Sequence, residues 1–334
     1  MRKPTVIDLF CGAGGLSKGF EMAGYNILLG IDFDKYSIKT FQENHKTAGI
    51  ILDDIKNVDA KRIRELIGDE EVDVIVGGPP CQGFSMAGRR DQNDPRNSLF
   101  AEFVRIVNDL KPKWFVMENV TGLLITKTAG GEDVGKIIKR EFGKIGYKVE
   151  NKILIAADYG VAQRRRRVFF IGTNTGEQIR FPFPTHSKTP QVLIDGTKLK
   201  RWVPVSSLLL KEDEVPKGYF HGPKMIEGFV RRKRVNVENG KGFGWQILRP
   251  DEPSFTISAR YWKDGSDALV MYSPDRVRML TERECARIQS FPDDFVFTGP
   301  KREVYKQIGN AVPPLLAKTI AEIIKNYLGG KTVL

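Results

Sequence analysis

The sequence is poor in the residues that build disulfide frameworks and metal sites. It has three cysteines and three histidines in 334 residues, and Cys11, Cys81 and Cys285 form no close pair. These spacings exclude a disulfide scaffold and a zinc-ligand cluster, so we expect no metal site and a reducing compartment. The chain also lacks an apolar run long enough to span a bilayer. Met1–Thr5 leads into a strand without an apolar signal region, which predicts a cytoplasmic protein with no membrane partner.

Acidic residues are fewer than basic ones. The chain has 53 Lys and Arg against 41 Asp and Glu, a formal net charge of +12. This balance favours a polyanionic partner, although a merely soluble basic surface would give the same count. With 41% hydrophobic residues, the chain can bury a full core and has the length for one large and one smaller domain.

Apolar runs of strand length alternate with helical patterns in the first half of the chain. The predicted strands are Val6–Phe10, Ile27–Ile31, Ile50–Leu52, Val72–Val76, Trp114–Met117 and Val168–Ile171. The predicted helices are Leu16–Ala23, Lys35–His45, Asp59–Ile67 and Leu99–Leu110. This alternation predicts an α/β fold with a doubly wound, mostly parallel sheet.

The alternation stops after the run Phe181–Pro184. Residues 185–276 mix short apolar runs with glycine, proline and charge, and include 16 basic and 11 acidic residues. We therefore predict a large domain over 1–184 and a smaller mixed domain over 185–276. A helical pattern returns at Thr281, with Glu284 completing a capping box, so 277–334 is predicted to return to the first domain.

A glycine-rich turn follows the first strand, where the backbone can approach a ligand closely. Its candidate ligand-binding residues are Phe10, Gly12, Gly14 and Gly15. The dinucleotide pattern G-x-G-x-x-G fails at Ser17, and the phosphate loop fails because Phe20 follows Gly19. Ligands with a pyrophosphate or triphosphate are therefore disfavoured.

Polar and aromatic residues follow the next two strands. Asp32 offers oxygens to ribose hydroxyls and Phe33 offers a ring face to adenine, while Asp54 and Ile55 follow the third strand. A ribose and an adenine without pyrophosphate describe S-adenosylmethionine better than a dinucleotide. Taken singly, the same residues also fit turn glycines and a helix-capping aspartate.

Gly15–Gly19 also matches the G-x-S-x-G pattern of a hydrolase nucleophile elbow, with His221 downstream as a base. An elbow serine sits directly at the strand-to-helix turn. Here six residues separate Phe10 from Ser17, so the serine is predicted to lie inside a helix. The elbow is therefore the weaker interpretation of these residues.

A cysteine follows the strand Val72–Val76. Pro80, Cys81 and Gln82 would hold a thiol at a strand end, where an α/β sheet keeps its active site. A lone cysteine is more often a small buried hydrophobic residue, so Cys81 becomes a candidate nucleophile only through its companions. These companions are the glycine turn, Glu118 at a later strand end, and the cluster Gln163–Arg167.

Six motifs occur in a fixed order: Phe10–Gly15, Pro79–Ser85, Glu118–Val120, Gln163–Arg167, Arg278–Pro292 and Gly309–Val312. Together they resemble the DNA cytosine-5 methyltransferases of the prokaryotic restriction-modification type, over about 5–184 and 277–327. Cys81 follows Pro79 and Pro80, where amino-group methyltransferases have an aromatic residue. This difference indicates attack on carbon rather than on nitrogen.

The resemblance implies a Rossmann-like methyltransferase fold with a target-recognition domain at 185–276, and methyl transfer to carbon 5 of a flipped-out cytosine. It implies that Cys81 attacks carbon 6 of the base and that Arg165 lies beside this nucleophile. It also assigns Glu118 to ring nitrogen 3 and the exocyclic amine, and Arg167 to the carbonyl oxygen. Without the family, Glu118 is a strand-end carboxylate in a salt bridge and Gln163–Arg167 a phosphate-contacting surface run.

The resemblance also implies the binding residues. S-adenosylmethionine would be held by Phe10, Gly12, Gly14, Gly15, Asp32, Phe33, Asp54, Ile55, Pro80 and Asn310. Double-stranded DNA would be contacted by Gln82, Ser85, Arg89, Arg90, Arg96 and Gln163, with 83–97 as a basic lid or an ordinary surface loop. A monomer is expected, and whether a cognate restriction endonuclease exists is left open.

Two alternatives remain beside this hypothesis. A transfer-RNA cytosine methyltransferase shares the fold and motifs, but Ser85 resembles the DNA branch, where the RNA branch typically has threonine. A catalytically silent DNA-binding module is disfavoured because Cys81, Glu118, Arg165 and Arg167 are all present.

Overall fold

The computed structural model describes residues 2–80, 97–128, 130–240 and 245–330. Their contacts define two compact units. The first comprises Met1–Leu154, Arg166–Phe183 and Leu316–Leu334, and the second comprises Ile155–Arg165 and Pro184–Leu315. Within the described ranges, no helix is both long enough and apolar enough to cross a membrane.

The first unit is built on a seven-stranded sheet of order β3-β2-β1-β4-β5-β7-β6. Its strands are β1 Thr5–Leu9, β2 Asn26–Asp32, β3 Gly49–Leu52, β4 Val74–Gly77, β5 Trp114–Val120, β6 Lys148–Ile155 and β7 Arg166–Thr173. β1 to β5 pair in parallel, and β7 runs antiparallel to β5. The predicted α/β fold with a doubly wound, mostly parallel sheet is confirmed, because all six predicted strands lie in this sheet.

The helices are numbered in chain order across both units, and in the first unit they alternate with the strands. They are α1 Gly15–Met22, α2 Lys35–Asn44, α3 Ala60–Ile67, α4 Asn97–Leu110, α5 Val134–Lys144, α6 Pro223–Glu238, α7 Glu282–Ile288, α8 Lys301–Asn310 and α9 Pro314–Leu328. α1 to α5 belong to the first unit, whose core packs apolar helix residues such as Ile63 and Phe142 against Ile75 and Phe115 of the sheet. Burial of this apolar face stabilises helices that are short by themselves.

β6 and α5 were not predicted from the sequence. β6 is an edge strand of the sheet, and its lysines, glutamate and asparagine interrupt the apolar run that marks a strand. α5 buries Val134, Ile138 and Phe142, which recur every four residues. That spacing is a helical signal that was available in the sequence.

The described residues of the second unit form two small sheets. β8 His186–Ser187, β9 Gln191–Val192 and β10 Lys198–Arg201 form one, and β11 Leu269–Ser273 with β12 Arg276–Met279 forms the other. Apolar residues of α7 and α8, among them Ile288 and Ile308, pack with Ile257 and Leu280 in a separate core. The predicted capping box at the start of α7 is confirmed, since Thr281 and Glu284 make both of its hydrogen bonds.

The division into two units differs from the predicted boundaries at two segments, and the first is Ile155–Arg165, which lies in the second unit although the prediction placed it in the large domain. The second unit resumes at Pro184, one residue before the predicted smaller domain, but it also includes residues 277–315. The reason is that α7 and α8 bury their apolar faces in the core of the second unit. The chain belongs to the first unit again from Leu316. The functional assignment of each domain stays a prediction.

A buried ion pair organises the second unit. Arg278 of β12 donates to both carboxylate oxygens of Glu284 at 2.9 and 2.8 Å, and both side chains are fully buried. The same carboxylate accepts from the backbone amides of Leu210 and Thr281 at 2.9 and 2.7 Å. Glu284 therefore connects three chain segments, and its charge is balanced only while Arg278 is present.

We expect Arg278→Ala to destabilise the protein by about 3–5 kcal/mol, because it leaves the Glu284 carboxylate buried without its counter-ion. The free energy of unfolding in urea measures this. Arg276→Ala is the matched control, because Arg276 pairs with Glu212 at the surface and should cost about 1 kcal/mol or less. Equal losses in both variants would contradict the organising role of the buried pair.

Candidate active site

The loop between β1 and α1 adopts backbone conformations that favour glycine. Phe10, Gly12 and Gly14 have φ angles of 58°, 55° and 89°. α1 then begins at Gly15, and Gly14 gives its first turn no side-chain cap. Amide groups at such a helix start can bind a ligand, because nothing in the helix satisfies them.

Asp32, at the end of β2, holds this loop. Its two carboxylate oxygens accept from the amides of Gly12 and Asp34, each at 2.8 Å. Burial raises the pKa of Asp32, and these amide hydrogen bonds oppose the rise. Each oxygen retains a lone pair for a further donor such as a hydroxyl. Phe33, next to it, is 70% exposed and presents a ring to solvent.

Asp54 and Ile55 follow β3 and differ in exposure. Asp54 is exposed and caps a short 3-10 turn by accepting from the amide of Lys56 at 3.0 Å. Ile55 is buried in the core of the first unit. The predicted contact of these two residues with a base edge stays a prediction.

These loops meet because β3, β2, β1 and β4 are parallel neighbours. Parallel strands end on the same edge of a sheet, and ligands bind in α/β folds at that edge. The glycine loop, Asp32, Asp54 and the turn after β4 therefore line one edge of the first unit.

The turn after β4 is tightly packed. A Cβ atom on Gly77 would lie 2.2 Å from the carbonyl oxygen of Leu9, so only glycine fits between β4 and β1. The side-chain amide of Asn119 donates to the carbonyl of Pro79 at 3.0 Å and holds the turn from β5. Asn119 lies in a recognised motif but was given no role in the sequence analysis. Pro80 is exposed at the end of the described turn.

Six predicted site residues lie outside the described part of the chain: Cys81, Gln82, Ser85, Arg89, Arg90 and Arg96.

Glu118 and Arg167 form an ion pair at the ends of two adjacent strands. Nε of Arg167 lies 3.0 Å from Oε1 of Glu118, and both side chains are largely buried. The antiparallel register pairs Glu118 with Phe169 and Val120 with Arg167, which makes the charged residues diagonal neighbours on one face. A Cβ atom on Gly78 would lie 3.3 Å from Oε2 of Glu118. The carboxyl group therefore lies beside the turn that leads to Cys81.

Burial alternates along the cluster Gln163–Arg167. Gln163 and Arg165 are buried and Arg167 is mostly buried, whereas Arg166 is exposed and Arg164 is half-buried. This is the two-residue period of extended chain. The catalytic interpretation thus applies to the buried residues of the run, and the surface interpretation applies to the residues that alternate with them.

Gln163 and Arg165 are engaged inside the second unit. Gln163 accepts from the amide of Ile257 and donates to Gln289, both at 3.2 Å. Arg165 donates to the carbonyls of Ile257 and Asn310 at 3.3 and 3.4 Å. The side-chain amide of Gln163 is fully buried, and its predicted DNA contact stays a prediction. Asn310 ends α8 with an exposed side chain, and its cofactor role also stays a prediction.

Sequence reasoning missed a buried carboxyl group below the glycine loop. Asp8 of β1 is fully buried and accepts from the hydroxyl of Ser17 at 2.6 Å. Burial raises the pKa of Asp8 to about 7. Ser17 lies within α1, as predicted, so the serine of the G-x-S-x-G pattern anchors a helix to the sheet.

His45 was also missed. Its ring is buried, packs 4.6 Å from the ring of Phe41, and has Nδ1 3.8 Å from the carboxylate of Glu21. His45 and Lys18 together hold the pKa of Glu21 down to about 2. A Cβ atom on Gly14 would lie 2.7 Å from Nε2 of His45, so the imidazole supports the glycine loop from below.

Known proteins match almost the whole chain. The sequence model of the family described as C-5 cytosine-specific DNA methylase matches residues 4–326. The Type II methyltransferase M.DdeI of Desulfomicrobium norvegicum is 38% identical, over 97% of this chain and 89% of its own. The Type II methyltransferase M1.HphI of Haemophilus parahaemolyticus is 39% identical, over 96% and 86%. The structure of the Entamoeba histolytica methyltransferase EhMeth has a similar fold, with TM-score 0.74, 19% identity and coverage of 98% and 99%.

The buried Asp8 predicts a pH dependence of stability. A carboxyl pKa of about 7 in the folded state exceeds the unfolded value of about 4, so the folded protein binds the proton more tightly. Stability from this group is therefore present at low pH and lost as the pH rises through 7. Asp8→Asn should remove that loss.

Relative to wild type, we expect Asp8→Asn to gain about 3 kcal/mol of unfolding free energy between pH 5 and pH 8, measured by denaturant unfolding. Asp69→Asn, at an exposed carboxylate, is the control and should give a flat difference. A flat difference for Asp8→Asn as well would mean that Asp8 is ionised in the folded protein at pH 5.

Proposed function

Since the chain belongs to the C-5 cytosine-specific DNA methylase family, we propose that it methylates carbon 5 of a cytosine within a specific sequence of double-stranded DNA, using S-adenosylmethionine. The family predicted from six motifs is confirmed by the match over residues 4–326. The chain is thus a DNA cytosine-5 methyltransferase that uses a methyl donor. The identity of the donor, the residues and their roles are proposals.

One observation supports the proposal most strongly. The glycine loop, Asp32 and the turn to Cys81 follow β1, β2 and β4, which end at the same sheet edge, and Glu118 of β5 lies beside that turn. A methyl donor and a base bound at this edge would meet.

The residues at the edge fit S-adenosylmethionine. Asp32 keeps lone pairs for ribose hydroxyls, Gly12 and Gly14 let the backbone approach closely, and the exposed ring of Phe33 suits an adenine face. When bound, the sulfonium group supplies an electrophilic methyl. The residues of the chain bind the methyl donor and the base, orient them and exclude water.

The target cytosine must leave the duplex, since its faces are hidden in the base stack. The thiolate of Cys81 then bonds to carbon 6, which gives carbon 5 the electron density to take the methyl group. Glu118 and Arg167 stabilise the ring by meeting nitrogen 3, the exocyclic amine and the carbonyl oxygen. Carbon 5 would take the methyl group with S-adenosylhomocysteine as the leaving group. Carbon 5 then loses its proton to solvent, which expels the Cys81 thiolate and restores the aromatic ring.

DNA is favoured over transfer RNA as the substrate. The relatives at 38–39% identity are Type II methyltransferases, and they match nearly the full chain. We propose a cytoplasmic enzyme of a restriction-modification system with a cognate endonuclease. One chain carries the cofactor motifs, the catalytic residues and the basic target region, which supports action as a monomer.

The substrate is tested by methylating a plasmid of known sequence and an RNA pool, followed by bisulfite sequencing. We expect modified cytosines in plasmid DNA at one repeated short sequence. Modification of RNA with none of DNA would overturn the DNA assignment.

Cys81→Ser should lower the methylation rate by about 10⁴-fold or more, because a hydroxyl is a far weaker nucleophile at neutral pH. DNA containing 5-fluorocytosine provides a second readout: carbon 5 then has no proton to lose, so the enzyme stays covalently attached. Wild type should form this adduct and Cys81→Ser should not. The control Cys285→Ala, at a buried core thiol, should still form it. An adduct with Cys81→Ser would refute the thiolate mechanism.

Asp32→Asn should weaken binding of S-adenosylmethionine by about 10- to 100-fold, since hydrogen bonds to a charged group are worth about 1.5–3 kcal/mol. Titration calorimetry without DNA measures this independently of activity. Asp34→Asn is the control, because Asp34 caps α2 and asparagine caps helices equally well. An unchanged affinity in Asp32→Asn would show that Asp32 does not bind the cofactor.

A further inference from the structure

The second unit contains an open cleft of about 400 Å³ that the catalytic residues do not use. It is lined by Arg164, Gln246, Phe255, Thr256, Ser258 and Asp267. The lining combines a guanidinium, an amide, a carboxylate and hydroxyl groups around one aromatic ring. Polar side chains of this kind recognise the hydrogen-bonding edges of nucleobases.

Gln246 is held by its backbone. Its amide donates to the carbonyl of Ser266 at 2.9 Å, and its carbonyl accepts from the amide of Leu269 at 2.8 Å. Leu269 itself is fully buried at the start of β11. The Cα atom of Gln246 is therefore fixed to the core. A side chain that reads a ligand needs such a rigid support.

The charged groups of the cleft are already partnered. Arg164 lies 3.3 Å from Glu252 and stacks 4.9 Å from the ring centroid of Phe255. Asp267 accepts from the hydroxyl of Ser258 at 3.0 Å. In the described ranges, by contrast, the side-chain amide of Gln246 makes no hydrogen bond, although the residue is half-buried. Its donor and acceptor are available to a ligand in the cleft.

We propose that this cleft reads the edge of a DNA base pair and that Gln246 selects adenine at one position of the target sequence. The inference rests on the proposed function, since it requires DNA as the substrate. A glutamine amide presents one donor and one acceptor, which match N7 and the N6 amino group of adenine in the major groove. Guanine places two acceptors there and would leave the Gln246 carbonyl oxygen without a donor.

The position of Arg164 is compatible with a DNA base pair in the cleft. Its guanidinium is fixed at the wall by Glu252 and Phe255, so it contributes positive charge without competing for the base edge. Contacts to phosphates position a protein on the duplex, whereas contacts to base edges read the sequence. Phosphate contact by Arg164 and base reading by Gln246 would thus be separate properties of one cleft.

The experiment uses the full chain and DNA duplexes with a target cytosine in randomised flanks. The duplexes are methylated to low conversion and sequenced after bisulfite treatment. Wild type should require an A·T pair at one fixed distance from the modified cytosine. Gln246→Ala should lose that preference by about 10- to 100-fold while keeping the other positions, and Gln246→Arg should shift it towards G·C.

Gln191→Ala, an exposed glutamine on β9 outside the cleft, is the matched control and should keep the wild-type target. Two results would overturn the inference: a target preference unchanged by both Gln246 variants, or an equal loss at all sequences, which indicates a phosphate contact. A wild-type protein that methylates no duplex would instead refute the proposed function, so the two failures are distinguishable. Thermal unfolding of each variant separates loss of reading from loss of folding.

Discussion

Parallel pairing of β1 with both β2 and β4 is the constraint on which the site depends. It brings the carboxyl ends of three strands to one edge, and chain segments far apart in sequence meet there. The pairing is close enough that Gly77 has no room for a side chain against Leu9. A larger residue would push β4 away from β1, and the turn to Cys81 would move with it. Backbone packing between β1 and β4 therefore sets the position of the turn that carries the catalytic residue.

Much of this architecture could be predicted from the sequence. The six apolar runs of the sheet are continuous and buried, so their existence was predictable even though their ends shifted by up to three residues. β6 was not, because an edge strand has less need of apolar residues and its lysines obscure the pattern. The segment 277–315 shows a second limit: helical periodicity identifies a buried face, but not the core in which it is buried.

The site was predictable where residues form motifs and unpredictable where partners come from elsewhere. Glu118 and Arg167 were found by resemblance, and their ion pair needs only the register of two neighbouring strands. His45 and Asp8 belong to no recognised motif, and their roles depend on the packing of α1 and α2 over the sheet. In the sequence, nothing distinguishes Gln246 from a surface glutamine, and only the cleft around it makes it a candidate.

The alternating burial along Gln163–Arg167 restricts how this segment can evolve. In extended chain each residue faces opposite to the next, so inserting or deleting one residue exchanges the inward and outward sets. Such a change would turn Arg166 towards the interior and Arg167 towards solvent, and would separate the guanidinium from Glu118. Substitution of the exposed Arg166 carries no such penalty. We therefore expect homologous chains to keep the spacing from Gln163 to Arg167 invariant while the residue at 166 drifts.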